Sequence, residues 1–311
     1  MPWTNPEPYE KKTFMQLANA LLYYLVLIPI SRLPFPILYF LSNLLYYPFY
    51  VIGYRKEVVL QNIAKSFPQK SPEQQKEIAR AFYRNFCDLI LESLKVFTIS
   101  EKDVKERMVF RNPEVVNHYH EKGQSLILAG GHFNNWELFA VAVDAVIHHQ
   151  AVGIYSPLTN PYFDSMMRQT RSRFGLKIIP VKRVKAFFET ERSNLTMTIF
   201  GSDQSPSNPF KCYWTTFLNQ DTAVHFGAEK YARDYNYPVF YGRIIKERRG
   251  YYSFEFVEIC DEPRQMSYGE ITEKITRLLE KDIMETPPSW LWSHKRWKLK
   301  RPADHQLIKS K

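Results

Sequence analysis

The sequence predicts an α/β fold, in which a mainly parallel sheet is flanked by helices, together with an N-terminal hydrophobic helical membrane anchor. After residue 124, short apolar runs alternate with amphipathic or polar stretches, as in parallel strands that are joined by helices. Before residue 55, the segment from Phe14 to Tyr54 contains a single charged residue, Arg32. The chain is long enough to bury a sizeable core. We therefore expect an anchoring segment over residues 1–54 and a separate folded domain over residues 55–311.

The N-terminal segment is expected to contact a membrane. Residues 14–30 are a helical candidate slightly short of a full span, and residues 33–53 are uncharged but include Pro34, Pro36 and Pro48. One tilted span and two interfacial segments both fit this pattern, and a buried helical hairpin is the alternative. Arg55 and Lys56 follow directly, and positive flanks tend to stay cytoplasmic, so the remaining chain is expected on the cytoplasmic side.

The later elements are predicted from periodicity and capping signals. Ser71 followed by Pro72 predicts a helix start, and apolar residues then recur with a helical period to about Phe97. Strands are expected at 126–129, 151–154, 177–181, 195–200 and 237–245, with helices at 137–149, 161–174, 183–191 and 222–235. An edge strand or hairpin over 251–258 and a final helix over 268–284 complete the prediction.

The net charge of +10 indicates an anionic partner, such as a membrane surface, a phosphorylated substrate, an acidic carrier protein or nucleic acid. The three cysteines are scattered, with neither metal-site nor disulfide spacing, which is typical of a reducing compartment. No metal site is predicted.

The stretch from Ser125 to Glu137 carries the strongest sign of chemistry. A buried strand is followed by Gly130 and Gly131, which permit a tight turn, and then by helix-capping asparagines. On one continuous helix His132 and Glu137 would be roughly 140° apart, but the turn allows them to approach each other. A histidine that is oriented by a carboxylate is a general base, whereas a purely structural histidine is the alternative.

This stretch, Gly131-His-Phe-Asn-Asn-Trp-Glu137, resembles the His-x4-acid signature of glycerolipid and lysophospholipid acyltransferases, in the version of the bacterial lipid A late acyltransferases. Further stretches resemble that branch: Asn62-Ile-Ala-Lys-Ser-Phe-Pro68 with Phe82-Tyr-Arg-Asn85, Tyr155-Ser-Pro-Leu-Thr-Asn-Pro161 with Arg171-Ser-Arg173-Phe-Gly175, Asp203-Gln204-Ser-Pro206, and Pro288-Ser-Trp-Leu-Trp-Ser-His-Lys-Arg-Trp-Lys298. Ser156 departs from an arginine that is frequent in the family, and Ser207-Asn-Pro-Phe210 departs from its glycine-containing turn. These departures bear on the acceptor and the chain length rather than on the chemistry.

The resemblance implies transfer of a fatty acyl group from a thioester to a lipid hydroxyl. His132 would act as the general base and Glu137 would orient its imidazole. Backbone N–H groups around Gly131 to Asn134 would stabilise the oxyanion. The remaining candidate substrate-binding residues are Asn134, Asn135, Arg171, Arg173, Asp203 and Gln204, with the two arginines expected to bind an anion.

The expected donor is acyl carrier protein or acyl-CoA, with no cofactor, and the expected acceptor is a lipid A precursor-type glycolipid at the inner membrane. Other acceptors stay open, namely a lysophospholipid or an amino-acid lipid. A non-catalytic membrane- or lipid-binding module is the alternative from another class. The aromatic and basic run 290–298 could bind nucleic acid by stacking, but the hydrophobic N-terminus favours lipid.

Overall fold

The structure, a computed structural model, describes residues 8–190 and 194–303, with side chains from residue 15 onward. Its strands are β1 (Met108–Phe110), β2 (Leu126–Gly130), β3 (Gln150–Tyr155), β4 (Lys177–Pro180), β5 (Thr196–Gly201), β6 (Tyr213–Phe217), β7 (Gln220–Val224), β8 (Val239–Arg248) and β9 (Tyr251–Cys260). Its helices are α1 (Pro8–Leu22), α2 (Ile28–Arg32), α3 (Phe35–Pro48), α4 (Lys56–Ser66), α5 (Pro72–Lys95), α6 (Glu101–Arg107), α7 (Glu114–Glu121), α8 (Trp136–Ala142), α9 (Pro161–Arg171), α10 (Val184–Thr190), α11 (Gly227–Tyr235) and α12 (Glu270–Glu285).

Seven strands form the central sheet, in the order β1-β9-β8-β2-β5-β3-β4. All neighbouring pairs are parallel except β8 and β9, which form an antiparallel hairpin. Apolar clusters cover both faces of the sheet, one including α4, α11 and α12 and the other including α6 and α8. The predicted α/β class is therefore confirmed. Because β2, β3, β4, β5 and β8 run in the same direction, the loops that follow them lie along one edge, where ligands bind in open α/β sheets.

Several predicted boundaries shift because of long-range pairing. The predicted helix over 222–235 begins only at Gly227, since residues 222–224 belong to β7, which pairs with β6 in a separate two-stranded sheet. Of the two alternatives for residues 251–258, an edge strand or a hairpin, the hairpin is confirmed, because β9 pairs antiparallel with β8. β9 is not an edge strand, because β1 pairs with its outer side. A three-residue strand such as β1 is too short for periodicity to detect. The predicted helix start at Ser71 is confirmed, and the structure adds a capping box there, in which the Ser71 hydroxyl accepts from the Gln74 N–H.

The N-terminal helices pack on the domain but leave apolar side chains exposed. Pro34 is the N-cap of α3 and Pro36 lies in its first turn, where the missing N–H costs nothing, so these prolines begin a helix. The helix continues through a π-helical turn to Gly53. Residues 35–53 are long and apolar enough to cross a membrane, and only 11% of this stretch is buried inside the protein. Tyr39 and Ser42 on α3 donate hydrogen bonds to Glu92 and Asp88 on α5. One side of α3 is thus held against the protein.

Candidate active site

His132 and Asp203 meet because their strands are neighbours in the sheet. His132 lies on the turn after β2, Asp203 lies on the turn after β5, and Gly130 and Gly201 at the ends of these strands are paired in register. The imidazole Nδ1 is 2.7 Å from Asp203 Oδ1, and the backbone N–H of His132 donates to Oδ2 at 2.8 Å. Trp290 Nε1 donates to the same Oδ2 at 2.9 Å. Three contacts therefore fix the Asp203 carboxylate against the imidazole.

The charge of Asp203 stabilises the protonated form of His132. Burial by itself lowers the pKa of His132, but the charge of Asp203 and its hydrogen bond outweigh burial and raise the pKa above its ordinary value. Burial likewise opposes ionisation of Asp203, yet the contacts with His132 and Trp290 hold the pKa of its carboxyl well below the usual range. The His132 side chain is 26% exposed, whereas that of Asp203 is 2% exposed. The imidazole is therefore accessible to a ligand, whereas the Asp203 carboxylate is shielded from solvent.

The free nitrogen of His132 faces Gln204. Because the Asp203 carboxylate can only accept, it favours the tautomer with the proton on Nδ1, which leaves a lone pair on Nε2. Gln204 Nε2 lies 3.2 Å from this nitrogen. The Trp136 ring packs edge-on against the imidazole, with ring centroids 5.0 Å apart. Gln204 thus occupies the position that a hydroxyl donor would take.

Glu137 makes different contacts from those expected. Its carboxylate accepts two hydrogen bonds from Arg171, Nε at 2.9 Å and Nη2 at 2.5 Å, and one from Trp136 Nε1 at 3.2 Å. The hydrogen bond to His132 Nδ1 that we expected from Glu137 is made by Asp203 instead. The reason is geometric, since Glu137 lies in the first turn of α8 and faces α9, where Arg171 is the last residue. Glu137 still acts through its charge, which contributes to the raised pKa of His132.

The two predicted anion-binding arginines are separated. The guanidinium of Arg171 forms a fork with Glu137 beside the imidazole, and both side chains are largely buried. Arg173 donates instead to the backbone carbonyls of Phe97 and Ile99, beyond the end of α5. Arg173 therefore secures a loop, and its contacts are apart from His132 and Asp203.

Asn134 and Asn135 support the turn through hydrogen bonds. Asn134 adopts a left-handed conformation with φ of 53° and donates from its amide to the Ile244 carbonyl at 2.7 Å. Asn135 is the N-cap of α8, and its oxygen accepts from the Leu138 N–H at 2.8 Å. The amide of Asn135 also donates to the buried Glu92 carboxylate. Both side chains hold the backbone in place.

The expected oxyanion donors are already engaged. The backbone N–H of His132 donates to Asp203, that of Phe133 to the Gly131 carbonyl, and that of Asn134 to the Ser289 carbonyl. These three N–H groups are therefore not free to meet an oxyanion in this arrangement. Side-chain donors near Nε2, foremost the Gln204 amide, are the available replacements.

The aromatic and basic C-terminal run folds into the site. Trp290 and Trp292 are buried, and Phe133 pairs with Trp290 in an isolated antiparallel bridge. His294 Nε2 accepts from the Ser205 N–H at 3.1 Å, and burial lowers the pKa of His294 to about 4, so it is neutral at pH 7. This run therefore braces the Asp203 loop. Sequence reasoning missed the contacts of Trp290 and His294 with that loop, because no local pattern indicates such a partner.

Within residues 8–190 and 194–303, no group of three or more His, Cys, Asp or Glu side chains is placed to hold a metal ion. The arrangement provides a polarised histidine, a buried carboxylate and a nearby amide. These groups can deprotonate a hydroxyl and stabilise the charges that develop during acyl transfer.

Comparisons with known proteins agree with this chemistry. The family model described as bacterial lipid A biosynthesis acyltransferase matches residues 8–299. A lipid A biosynthesis acyltransferase from Haemophilus influenzae is 22% identical over 252 residues, which cover 78% of each chain. A lipid A biosynthesis lauroyltransferase from Escherichia coli is 20% identical over 273 residues, covering 86% of this chain and 88% of the relative.

Proposed function

Because the chain belongs to the bacterial lipid A biosynthesis acyltransferase family and is therefore an acyltransferase, we propose that it transfers a fatty acyl chain from a thioester to a hydroxyl of a lipid A-type glycolipid. The observation that carries the proposal is the His132–Asp203 pair, with Nδ1 held by a buried carboxylate, Nε2 next to the Gln204 amide, and the imidazole side chain 26% exposed.

In the proposed reaction, the acceptor hydroxyl displaces Gln204 from His132 Nε2. The imidazole takes the hydroxyl proton while the oxygen attacks the thioester carbonyl, which forms the new C–O bond. Asp203 stabilises the imidazolium that results, in agreement with the raised pKa of His132. The tetrahedral intermediate then expels the thiolate, and His132 returns the proton to the sulfur.

Gln204 is proposed to donate to the oxyanion after the hydroxyl has replaced it at Nε2. Its amide is already within hydrogen-bonding distance of the reacting nitrogen, which keeps a donor close to the centre where the oxyanion would form. The Arg171–Glu137 pair would keep a fixed, largely buried dipole beside the same centre. Asp203, Glu137 and Arg171 act as positioning groups in this scheme.

Direct transfer is favoured over a covalent acyl-enzyme. The three cysteines are poor nucleophiles, since burial raises the pKa of the Cys87 thiol to about 12 and that of the Cys260 thiol to about 11, and also raises the pKa of Cys212. Acyl carrier protein or acyl-CoA would supply the thioester. An acidic carrier protein would be attracted by the net charge of +10.

We also propose that α3 lies in the interface on the cytoplasmic side of the inner membrane, with its outer side in lipid. Exposed apolar residues, including Phe40, Val51 and Ile52, support contact with lipid. A crossing orientation is disfavoured, because Ser42 of α3 donates to Asp88, whose carboxylate is paired with Arg249, and charged groups at membrane depth are costly.

The test is lipid mass spectrometry on cells that lack the gene, complemented with wild type, His132→Ala or the matched control His118→Ala, whose histidine is exposed on α7. We expect a lipid A species to lose one acyl chain and to recover it with wild type and His118→Ala only. Loss of an acyl chain from a lysophospholipid-derived lipid or an amino-acid lipid would instead identify that lipid class as the acceptor. Full recovery with His132→Ala would favour the non-catalytic binding module.

A further inference from the structure

A cleft beside the catalytic turn takes no part in the mechanism above. It is shallow and open to solvent, and it is bordered on one side by Phe82, Phe86 and Leu89, which share one face of α5. Trp136 and Trp290 border its other side. Because Trp136 packs against His132 and Trp290 donates to Asp203, the cleft adjoins the reacting centre.

Lys246 brings an unbalanced charge into this largely apolar cleft. It lies near the carboxyl end of β8, is half-buried, and donates from Nζ to Asn85 Oδ1 at 3.0 Å. Among the described residues, no carboxylate oxygen lies within 4.0 Å of Nζ, and the adjacent Glu247 is paired with Arg111. A partly desolvated cation with only a neutral partner is unfavourable, and an anion would relieve that cost.

The rest of the cleft is suited to an anion. The amide of Asn85 donates to the Pro288 carbonyl at 3.2 Å, so its oxygen is directed at Lys246. Asn134 also borders the cleft, and its amide donates to the Ile244 carbonyl. The cleft therefore presents one cation and two side-chain amides, each of which has a second N–H.

The cleft adjoins the part of the chain that we propose contacts the membrane. Phe86, which borders the cleft, packs against Phe49 with ring centroids 6.1 Å apart and stacks on Tyr54 at 5.9 Å. Both of these residues lie at the end of the exposed apolar stretch. This arrangement favours the lipid acceptor over the soluble donor as the source of the anion.

We propose that Lys246, together with Asn85, binds a phosphate group of the lipid acceptor and thereby selects phosphorylated glycolipids. The inference rests on the proposed function, and it adds a specificity-determining subsite to it. An ammonium provides a point charge for a phosphate, and it reaches the cleft from the strand that neighbours β2.

The test compares wild type, Lys246→Gln, Lys246→Arg and the control Lys102→Gln, whose side chain is 84% exposed on α6. Each is assayed with a phosphorylated lipid A precursor and with the same precursor after enzymatic removal of phosphate. We expect Lys246→Gln to lose roughly 10- to 100-fold in kcat/KM on the phosphorylated acceptor, mainly through KM, and to match wild type on the other. Lys246→Arg should retain most activity, and Lys102→Gln should be unchanged.

Equal losses on both acceptors, or none on either, would overturn the proposal. A rise in the KM for the acyl donor alone would also overturn it, because the phosphate would then belong to the donor. Binding is measured separately in the His132→Ala background, by co-sedimentation with micelles that contain the phosphorylated acceptor. In this background, Lys246→Gln should weaken binding to the micelles by a factor similar to its loss in kcat/KM. The subsite is thus tested even if the protein does not catalyse acyl transfer. Unchanged binding in that background would refute it.

Discussion

Replacing Asp203 by asparagine should remove most of the acyl transfer without unfolding the protein. The carboxylate has two distinct sides, since Oδ2 accepts from the His132 N–H and Trp290 Nε1, whereas Oδ1 meets His132 Nδ1. An asparagine would keep its oxygen on the side of the two N–H donors. Its NH₂ group would then face Nδ1 and impose the tautomer with the proton on Nε2. That tautomer cannot accept a proton from the acceptor hydroxyl.

The size of the loss follows from this change of tautomer. The equivalent exchange in a catalytic triad lowers kcat by about 10⁴-fold, which corresponds to roughly 5.4 kcal/mol in the activation free energy. Losing the charge of Asp203 should also lower the pKa of His132, because burial would then act with less opposition. The acidic limb of the pH–activity profile of Asp203→Asn should therefore move to lower pH. In the wild-type profile, the apparent pKa of this limb should lie above the value of about 6.5 for free imidazole.

The same shift has a consequence for stability. The pKa of His132 is raised in the folded state, so its contribution to the free energy of unfolding is complete below about pH 6.5 and is lost as the pH rises through the folded-state pKa. Asp203→Asn should abolish this pH dependence. Chemical denaturation between pH 5 and 9, compared for both proteins, measures it.

The assay is transfer of a labelled acyl chain from its thioester, with kcat and kcat/KM recorded against pH. Glu137→Gln is the matched comparison, because Glu137 contacts Arg171 rather than the imidazole, and its loss should be clearly smaller. The reasoning would fail if Asp203→Asn kept more than a tenth of wild-type kcat. A larger loss in Glu137→Gln than in Asp203→Asn would return the orienting role to Glu137.

Two further predictions concern stability and membrane binding. Gly131→Ala should destabilise the protein by about 1–3 kcal/mol, because a Cβ there would lie 2.8 Å from Leu279 Cδ1. The control Gly153→Ala should cost less, since the contacts of its Cβ begin at 3.5 Å. Equal denaturation midpoints for the two variants would contradict this prediction. Ile52→Asp should reduce vesicle co-sedimentation by about tenfold or more and leave unfolding within about 0.5 kcal/mol, since Ile52 is 83% exposed. The control Val109→Asp should bind vesicles like wild type, and undiminished binding of Ile52→Asp would argue against the interfacial helix.

Local features of this protein were predictable because their causes are local. The alternation of apolar runs with amphipathic stretches predicted the α/β class, and strands β2 to β5 lie within a residue or two of their expected positions. The helix start at Ser71 was predictable because its two capping hydrogen bonds join residues three positions apart. His132 could be singled out as the candidate reactive residue because a buried strand, a glycine turn and a helix start are contiguous in the chain.

The partner of His132 could be decided only by tertiary structure. Glu137 was expected on proximity along the chain, but Asp203 lies beside the imidazole because β5 pairs with β2, although 71 residues separate the two. The same holds for Lys246, which meets the cleft through the pairing of β8 with β2. Periodicity and capping determine which segments become strands and helices, because they depend on neighbouring residues. Strand order depends on how all the apolar faces are buried together, and that order selects which side chains share an edge of the sheet.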